Sequence, residues 1–323
     1  MSTVKKYLSL VKFSHTIFAM PFAMIGFFLA TAELRHISRL IDYLPDAGTF
    51  SRYTSNGQPF WLTFLLVVLC MVFARSAAMA FNRWLDARFD ALNPRTAIRE
   101  IPAGILKADS VLLFTIGCSV LFMVCTWFIN PLCFALSPVA LLVVLGYSYT
   151  KRFTPLCHLV LGLGLSLAPI GAYLAVTGRF DWLPILFSFA VITWVSGFDI
   201  IYALQDEQFD KSQQLYSMPS WLGGAKALRV SEILHVISTA CVVIAGIYGH
   251  FHWLYWIGVA VFAGMLLYQH SIVKPTDLRR VNLAFMTANG IASVVFAVFV
   301  IADLFLLPAG LPGTVIKESF LQL

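Results

Sequence analysis

Residues 110–150 read SVLLFTIGCSVLFMVCTWFINPLCFALSPVALLVVLGYSYT, without one charged side chain. A helix rises 1.5 Å per residue, so about 20 residues cross about 30 Å of hydrocarbon, and this run is long enough to cross twice. Asn130-Pro131 sits near its middle, where a turn dipeptide lacking one backbone donor ends one helix and starts the next. The run therefore predicts two membrane helices joined by a tight hairpin. Outward from it, further uncharged runs complete a set of nine: 13–32, 60–81, 110–129, 132–150, 155–178, 182–204, 231–249, 252–272 and 282–307. Gly249 and His250 supply a second tight hairpin.

Composition agrees. The chain has 323 residues, 59% hydrophobic and 12% charged, with a mean hydropathy of +0.83, whereas soluble domains carry about 25% charged residues. The expected fold is an all-α polytopic membrane protein, nine transmembrane helices in a bundle, forming one domain over residues 1–323. Six cysteines lie in apolar stretches without CxxC spacing and read as small packing residues. The net charge of +6 comes with no basic cluster interleaved with aromatics, so it points to loops facing an anionic leaflet and not to nucleic acid. Ala30-Thr31-Ala32 imitates a signal-peptidase site, but the apolar run before it is too long for a signal peptide, and the span reads as uncleaved.

Lys and Arg set the orientation, because short basic loops stay cytoplasmic. With the N-terminus inside, Arg35, Arg39, Arg52, Arg179 and Lys317 are external and the other 17 of the 22 basic residues (22 − 5) are cytoplasmic. An odd number of spans puts the C-terminus outside. Residues 33–59 read as an external polar insertion, and the chain is expected in the cell (inner) membrane with no obligate protein partner.

The chemistry lies in carboxylates. At the end of the second span, Asn82, Asp86 and Asp90 are spaced by four, which places them on one helical face. After the sixth span Asp206 and Asp210 repeat the spacing, and DARFD (86–90) matches DEQFD (206–210) at an offset of 206 − 86 = 120 residues. Four spans separate the copies, so both open on one side, as a parallel four-helix internal repeat would have it. Carboxylates lined up at a membrane surface repel one another unless a cation intervenes. Mg²⁺ suits the role, since it takes one or two carboxylates plus phosphate oxygens. The competing reading is a solvated loop in which Asp86 and Asp90 pair with Arg83 and Arg88, or with Arg95 and Arg99.

Arg95 and Arg99 follow the first acidic stripe in a loop whose guanidinium groups suit bidentate phosphate contacts. Tyr147 and Lys151, one turn apart, are able to share a phosphate, although a snorkelling lysine below an interfacial tyrosine is common. The loops 82–109 and 205–230 are thus the expected cytoplasmic catalytic loops. His15, at the entrance of the first span, reads as a packing or capping group. Pro21, Pro169 and Pro184 carry no functional assignment, and Gly162, Gly164 and Gly171 read as helix-packing positions.

Taken together these residues resemble the UbiA superfamily of intramembrane prenyltransferases, over nearly the whole chain. That family has nine transmembrane helices, an aspartate-rich motif after the second, a D-x-x-x-D motif after the sixth and a Y-x-x-x-K motif. The first falls on Asn82, Asp86 and Asp90, the second on Asp206 and Asp210, the third on Tyr147 and Lys151. The resemblance implies Mg²⁺ and a polyprenyl diphosphate at these positions, with Tyr147 and Lys151 as substrate contacts; Arg95 and Arg99 join them as phosphate contacts by their place after the acidic stripe. Asp199, in DIIYALQD (199–206), matches an upstream aspartate of the branch that prenylates 4-hydroxybenzoate, and its implied role is to position the acceptor or take its ring proton. The expected function is Mg²⁺-dependent transfer of a polyprenyl group to a hydroxylated aromatic carboxylate in quinone biosynthesis; the alternatives are a dihydroxynaphthoate acceptor of a menaquinone route or, in another class, a secondary transporter. A phosphatidyl-alcohol transferase also uses D-x-x-x-D, but its preceding glycine- and arginine-containing extension is absent. Two departures stand out. Arg83 occupies a position where the family often has aspartate, and Gln214 and Tyr216 replace a glycine and a histidine of the branch's G-L-H-S-x-P.

Overall fold

The computed structural model describes residues 3–11, 18–41 and 53–306. His15, residues 42–52 of the polar insertion and the C-terminal residues from 307 lie outside the described residues. Within them the chain is helical: α1 Thr3–Leu10, α2 Met20–Ile41, α3 Phe60–Leu85, α4 Ala87–Leu92, α5 Ala108–Ile129, α6 Pro131–Thr150, α7 Cys157–Thr177, α8 Trp182–Ala203, α9 Glu207–Ser212, α10 Met218–Leu222, α11 Gly224–Tyr248, α12 Trp253–Ile272 and α13 Asn289–Leu306. Among the described residues there is no strand, only isolated bridges at Tyr53–Pro59 and Lys274–Asp277.

Seven segments are long and apolar enough to cross a membrane: α3, α5, α6, α7, α8 with its continuation to Ser212, α11, and α13 with the π-helical turn before it. The other two long helices fall short for local reasons. The outer half of α2 carries Glu33, Arg35 and Arg39, and α12 has Gln269-His270 in its last turn. The stretch read as polar insertion from residue 33 begins as helix, because α2 continues to Ile41.

Local chemistry sets the boundaries. The Asn130 side chain caps α6 by accepting the Cys133 N–H at 2.8 Å, with Pro131 in the first turn, as the sequence suggests. α7 stops at Gly178, whose φ of 65° is left-handed. The helices α2, α7, α8, α11, α12 and α13 close a ring by successive contacts, and α3, α5 and α6 pack as a group against α7. Close approach depends on missing side chains: a Cβ at Gly26 of α2 would sit 2.0 Å from the Pro169 carbonyl oxygen of α7, and one at Gly162 would sit 2.4 Å from the Ile192 oxygen of α8. A Cβ at Gly171, by contrast, would meet nothing within 4 Å beyond its own helix.

Rings from four helices fill the centre. Phe22 and Trp194 have centroids 5.2 Å apart, and Phe262 and Phe296 5.4 Å. The indole N–H of Trp194 donates to Asn289 Oδ1 at 2.9 Å, and the Asn289 amide donates to the carbonyls of Ala284 and Phe285, which the π-turn frees. The rigid middle leaves one end of the bundle to carry the polar side chains described next.

Candidate active site

The two acidic motifs fold alike. α3 stops at Asp86 (φ −92°, ψ 7°) and resumes as the six-residue α4; the Asp86 N–H still donates to the Asn82 carbonyl (2.9 Å) and the Asp90 N–H to the Asp86 carbonyl (2.8 Å). α8 tightens into a 3-10 turn ending at Asp206 (φ −104°, ψ 3°) and resumes as the six-residue α9. In each case the second aspartate, Asp90 or Asp210, is buried in the first turn of the short helix, where the helix dipole favours a negative charge.

All ten residues singled out in the sequence line one cavity of about 200 Å³: Asn82, Asp86, Asp90, Arg95, Arg99, Tyr147, Lys151, Asp199, Asp206 and Asp210. The two motifs therefore open on the same end of the bundle. Each carboxylate has a basic partner. Arg99 meets Asp90 at 2.6 Å, Lys151 meets Asp210 at 2.7 Å, Arg152 meets Asp86 at 3.0 Å, and the His158 Nδ1 lies 2.6 Å from Asp199 Oδ2. Arg95 crosses from the first motif's loop to the second motif. It donates to both oxygens of Asp206, Nε at 3.0 Å, and to the Tyr202 hydroxyl at 2.9 Å, while Asn93 donates to Asp206 Oδ1 at 3.1 Å.

Sequence reasoning missed several groups here. Arg152 adjoins Lys151, but which of a Lys-Arg pair turns inward is not a one-dimensional property. His158 had a signal, a polar residue at the mouth of an apolar span. Ser217, whose hydroxyl donates to Asp210 Oδ2 at 2.8 Å, caps α10; its signal was the serine it keeps of the branch's G-L-H-S-x-P. Arg83 is buried with Nε and one terminal nitrogen unpartnered, and it is not part of the cavity wall.

Burial pushes the Asp86 carboxyl up to about 6, against the pull of Arg152. Burial alone would lower Lys151, but Asp210 and Asp206 outweigh it and its ammonium is held above the ordinary value. The unpaired oxygen Asp90 Oδ2 is buried without a hydrogen-bond partner. Such an orphan in a set of hard oxygen donors fits a divalent cation. Among the described residues no three His, Cys, Asp or Glu side chains converge on one point.

A membrane-suited helical bundle with paired acidic motifs and four Arg or Lys side chains around one cavity defines an enzyme built for an anionic substrate with an apolar remainder. Residues 49–306 match the UbiA prenyltransferase family, and the chain belongs to that family. It is therefore a multi-pass membrane prenyltransferase. It is 26% identical over 247 residues to a 4-hydroxybenzoate octaprenyltransferase of Francisella tularensis subsp. mediasiatica (76% of this chain, 87% of the relative). It is 28% identical over 243 residues to the enzyme of that name from Nitrosospira multiformis (75% and 83%). Among solved structures, a UbiA homologue from Aeropyrum pernix superposes with a TM-score of 0.71 at 25% identity, covering 90% of this chain and 97% of that one. A homologue from Archaeoglobus fulgidus, bound to DMAPP and Mg²⁺, shares the fold with a TM-score of 0.62 at 20% identity, covering 94% and 100%.

Proposed function

We propose that the protein transfers a polyprenyl group from a polyprenyl diphosphate to the ring of a hydroxylated aromatic carboxylate, with Mg²⁺, as a step of quinone biosynthesis. 4-Hydroxybenzoate is the first acceptor to test and a dihydroxynaphthoate the second. The observation that carries the reading is the convergence of both acidic motifs and Arg95, Arg99, Lys151 and Arg152 on one cavity. The names of the curated relatives support the acceptor class, and the Mg²⁺-bound homologue supports the metal. Arg75 adds a structural argument. It lies on α3 seven residues, or about 10 Å, inward of Asn82. Its Nε is buried without a hydrogen-bond partner, it has no carboxylate ion-pair partner among the described residues, and Tyr147 is near. Arg75 does not line the cavity, but its unpaired Nε and its place beside the cavity residue Tyr147 suit it to the carboxylate of an acceptor.

Asn82, Asp86, Asp90, Asp206 and Asp210 would hold Mg²⁺, which when bound neutralises charge on the diphosphate. Arg95, Arg99 and Lys151 exchange their aspartate partners for phosphate oxygens and stabilise the negative charge that grows as the allylic C–O bond breaks. Tyr147 shares a phosphate oxygen with Lys151. The prenyl carbon is then attacked by the ring carbon ortho to the hydroxyl, and Asp199 takes the ring proton. Apolar side chains such as Leu161 and Phe89 limit water at the cavity. The architecture belonging to this reading is nine spans with α2 and α12 included, one domain over residues 1–323 whose loops 82–109 and 205–230 carry catalysis, and a four-helix repeat supported by the matching breaks at Asp86 and Asp206. The inner membrane is its location, with the N-terminus cytoplasmic and the C-terminus external.

The test is mass analysis of membranes incubated with a polyprenyl diphosphate and a panel of phenolic acids, with and without EDTA. Product from 4-hydroxybenzoate or a dihydroxynaphthoate, lost in EDTA and in Asp86→Asn and Asp206→Asn proteins that still insert, is expected. An acceptor stripped of its carboxylate should react about 10- to 150-fold less efficiently, matching 1.5–3 kcal/mol for a bond to a charged group. Equal reaction of phenol, or full activity in EDTA, defeats the reading.

A further inference from the structure

Buried His158 and half-buried Asp199 form a dyad whose polarity the geometry fixes. The backbone N–H of Met218 can only donate, and it points at His158 Nε2 at 3.2 Å. Nε2 is therefore the acceptor, and the ring proton of the neutral imidazole sits on Nδ1, facing Asp199 Oδ2 at 2.6 Å. The imidazole is 3% exposed and cannot exchange this partner for water. Asp199 Oδ1 has no protein partner among the described residues, and the Asp199 side chain lines the cavity. The third member of the chain is also placed by the site: Met218 opens α10, directly after Ser217, whose hydroxyl holds Asp210.

We propose that His158 is a positioning residue for the prenyl transfer: its Nδ1–H locks one oxygen of Asp199 so that the other is presented to the acceptor ring, and Met218 locks the tautomer that makes this possible. The assignment rests on the aromatic-acceptor reading. As the carbon–carbon bond forms and the carbon–oxygen bond to diphosphate breaks, the ring carries a positive charge and one proton too many. Its electron pair returns to the ring when that proton moves to Asp199 Oδ1, and the carboxyl yields it to water as product and diphosphate leave. His158 neither gains nor loses a proton in this sequence. A neutral donor favours a carboxylate that is held still without being neutralised, as in other sites where a second partner fixes the reacting group.

The experiment compares wild type, His158→Leu and His158→Asn in membranes, using the acceptor unlabelled and deuterated at both ring carbons ortho to the hydroxyl. Leucine removes both hydrogen bonds; the asparagine amide places a donor near the Nδ1 position. The leucine variant should lose about 10–100-fold in kcat with KM for the diphosphate unchanged, and should show a larger primary isotope effect than wild type, because proton removal has become slow. Asparagine should restore part of kcat and reduce the isotope effect. A leucine variant with wild-type kcat, or with lowered kcat and no increase in isotope effect, overturns the assignment; so does an asparagine variant no better than leucine in either measure. Absence of product from every acceptor with the wild-type protein instead overturns the acceptor reading on which it stands.

Discussion

Arg152 shows how much of a site can hang on one side chain. Its guanidinium donates to Asp86 Oδ1 at 3.0 Å, to the Leu85 carbonyl at 3.1 Å and to the Ser148 carbonyl at 3.2 Å, and it lies over the rings of Phe89 and Tyr149. It thus ties the break between α3 and α4 to the end of α6 and keeps Asp86 aimed into the cavity. A lysine there keeps the charge but not the fork. Arg152→Lys should lower kcat/KM for the diphosphate by about 10- to 150-fold, the range for one charge-assisted hydrogen bond, while leaving membrane insertion unchanged, as single-turnover assays and protease protection would show. Unaltered kcat/KM would mean that Asp86 is held by something else. This residue also marks the limit of reading by sequence. Asp86, Asp90, Asp206 and Asp210 are legible because a charge is conspicuous in an apolar chain and the two strings repeat. Arg152 is not, since its meaning comes from a partner 66 residues away, and His158, although conspicuous at the mouth of an apolar span, takes its role from a partner 41 residues away.

At the scale of elements the same division holds. The hairpin between α5 and α6 is readable because Asn130 caps a helix that starts at the next residue. The start of α12 is readable too, from Gly249-His250, but its cap is not, because it comes from the far end of the chain: buried Asp303, in α13, accepts the N–H of His252 at 2.9 Å on one oxygen and that of Tyr255 at 3.1 Å on the other. A helix N-terminus has unpaired donors, and within the bundle water cannot replace a lost acceptor. Asp303→Ala should therefore destabilise the protein by about 1–3 kcal/mol, with little effect on substrate affinity, since Asp303 is not a cavity residue. Thermal unfolding in detergent, read beside diphosphate binding, separates the two. Equal melting of variant and wild type would show that the α12 donors find another acceptor. The polar insertion supplies a second long-range tie at a bundle end: Ser55 N–H donates to the Val176 carbonyl at 3.0 Å, and Ser55 Oγ to the same oxygen at 3.1 Å.

For the whole molecule the decisive question is which way the cavity faces. Arg95, Arg99, Lys151 and Arg152 gather at the cavity end, whereas Arg179 pairs with Glu33 beside the helix ends that meet the insertion. The sequence-wide split of 17 basic residues against 5 has the same sense, and translocation retains short basic loops in the cytoplasm. The proposed cytoplasmic orientation would let a diphosphate head made in the cytoplasm reach the ion pairs without crossing hydrocarbon. Exposed Arg88 lies within the first acidic motif and exposed Lys211 directly follows the second, and exposed Asn56 lies in the insertion at the other end. With the six native cysteines replaced, Arg88→Cys and Lys211→Cys should both resist an impermeant maleimide added to intact cells and react in inverted vesicles, and Asn56→Cys should do the reverse. Reaction of positions 88 and 211 from opposite sides would separate motifs that share one cavity and so undo the site itself. Reaction of both from outside would keep the site but invert the protein, and with it the compartment that supplies diphosphate and acceptor.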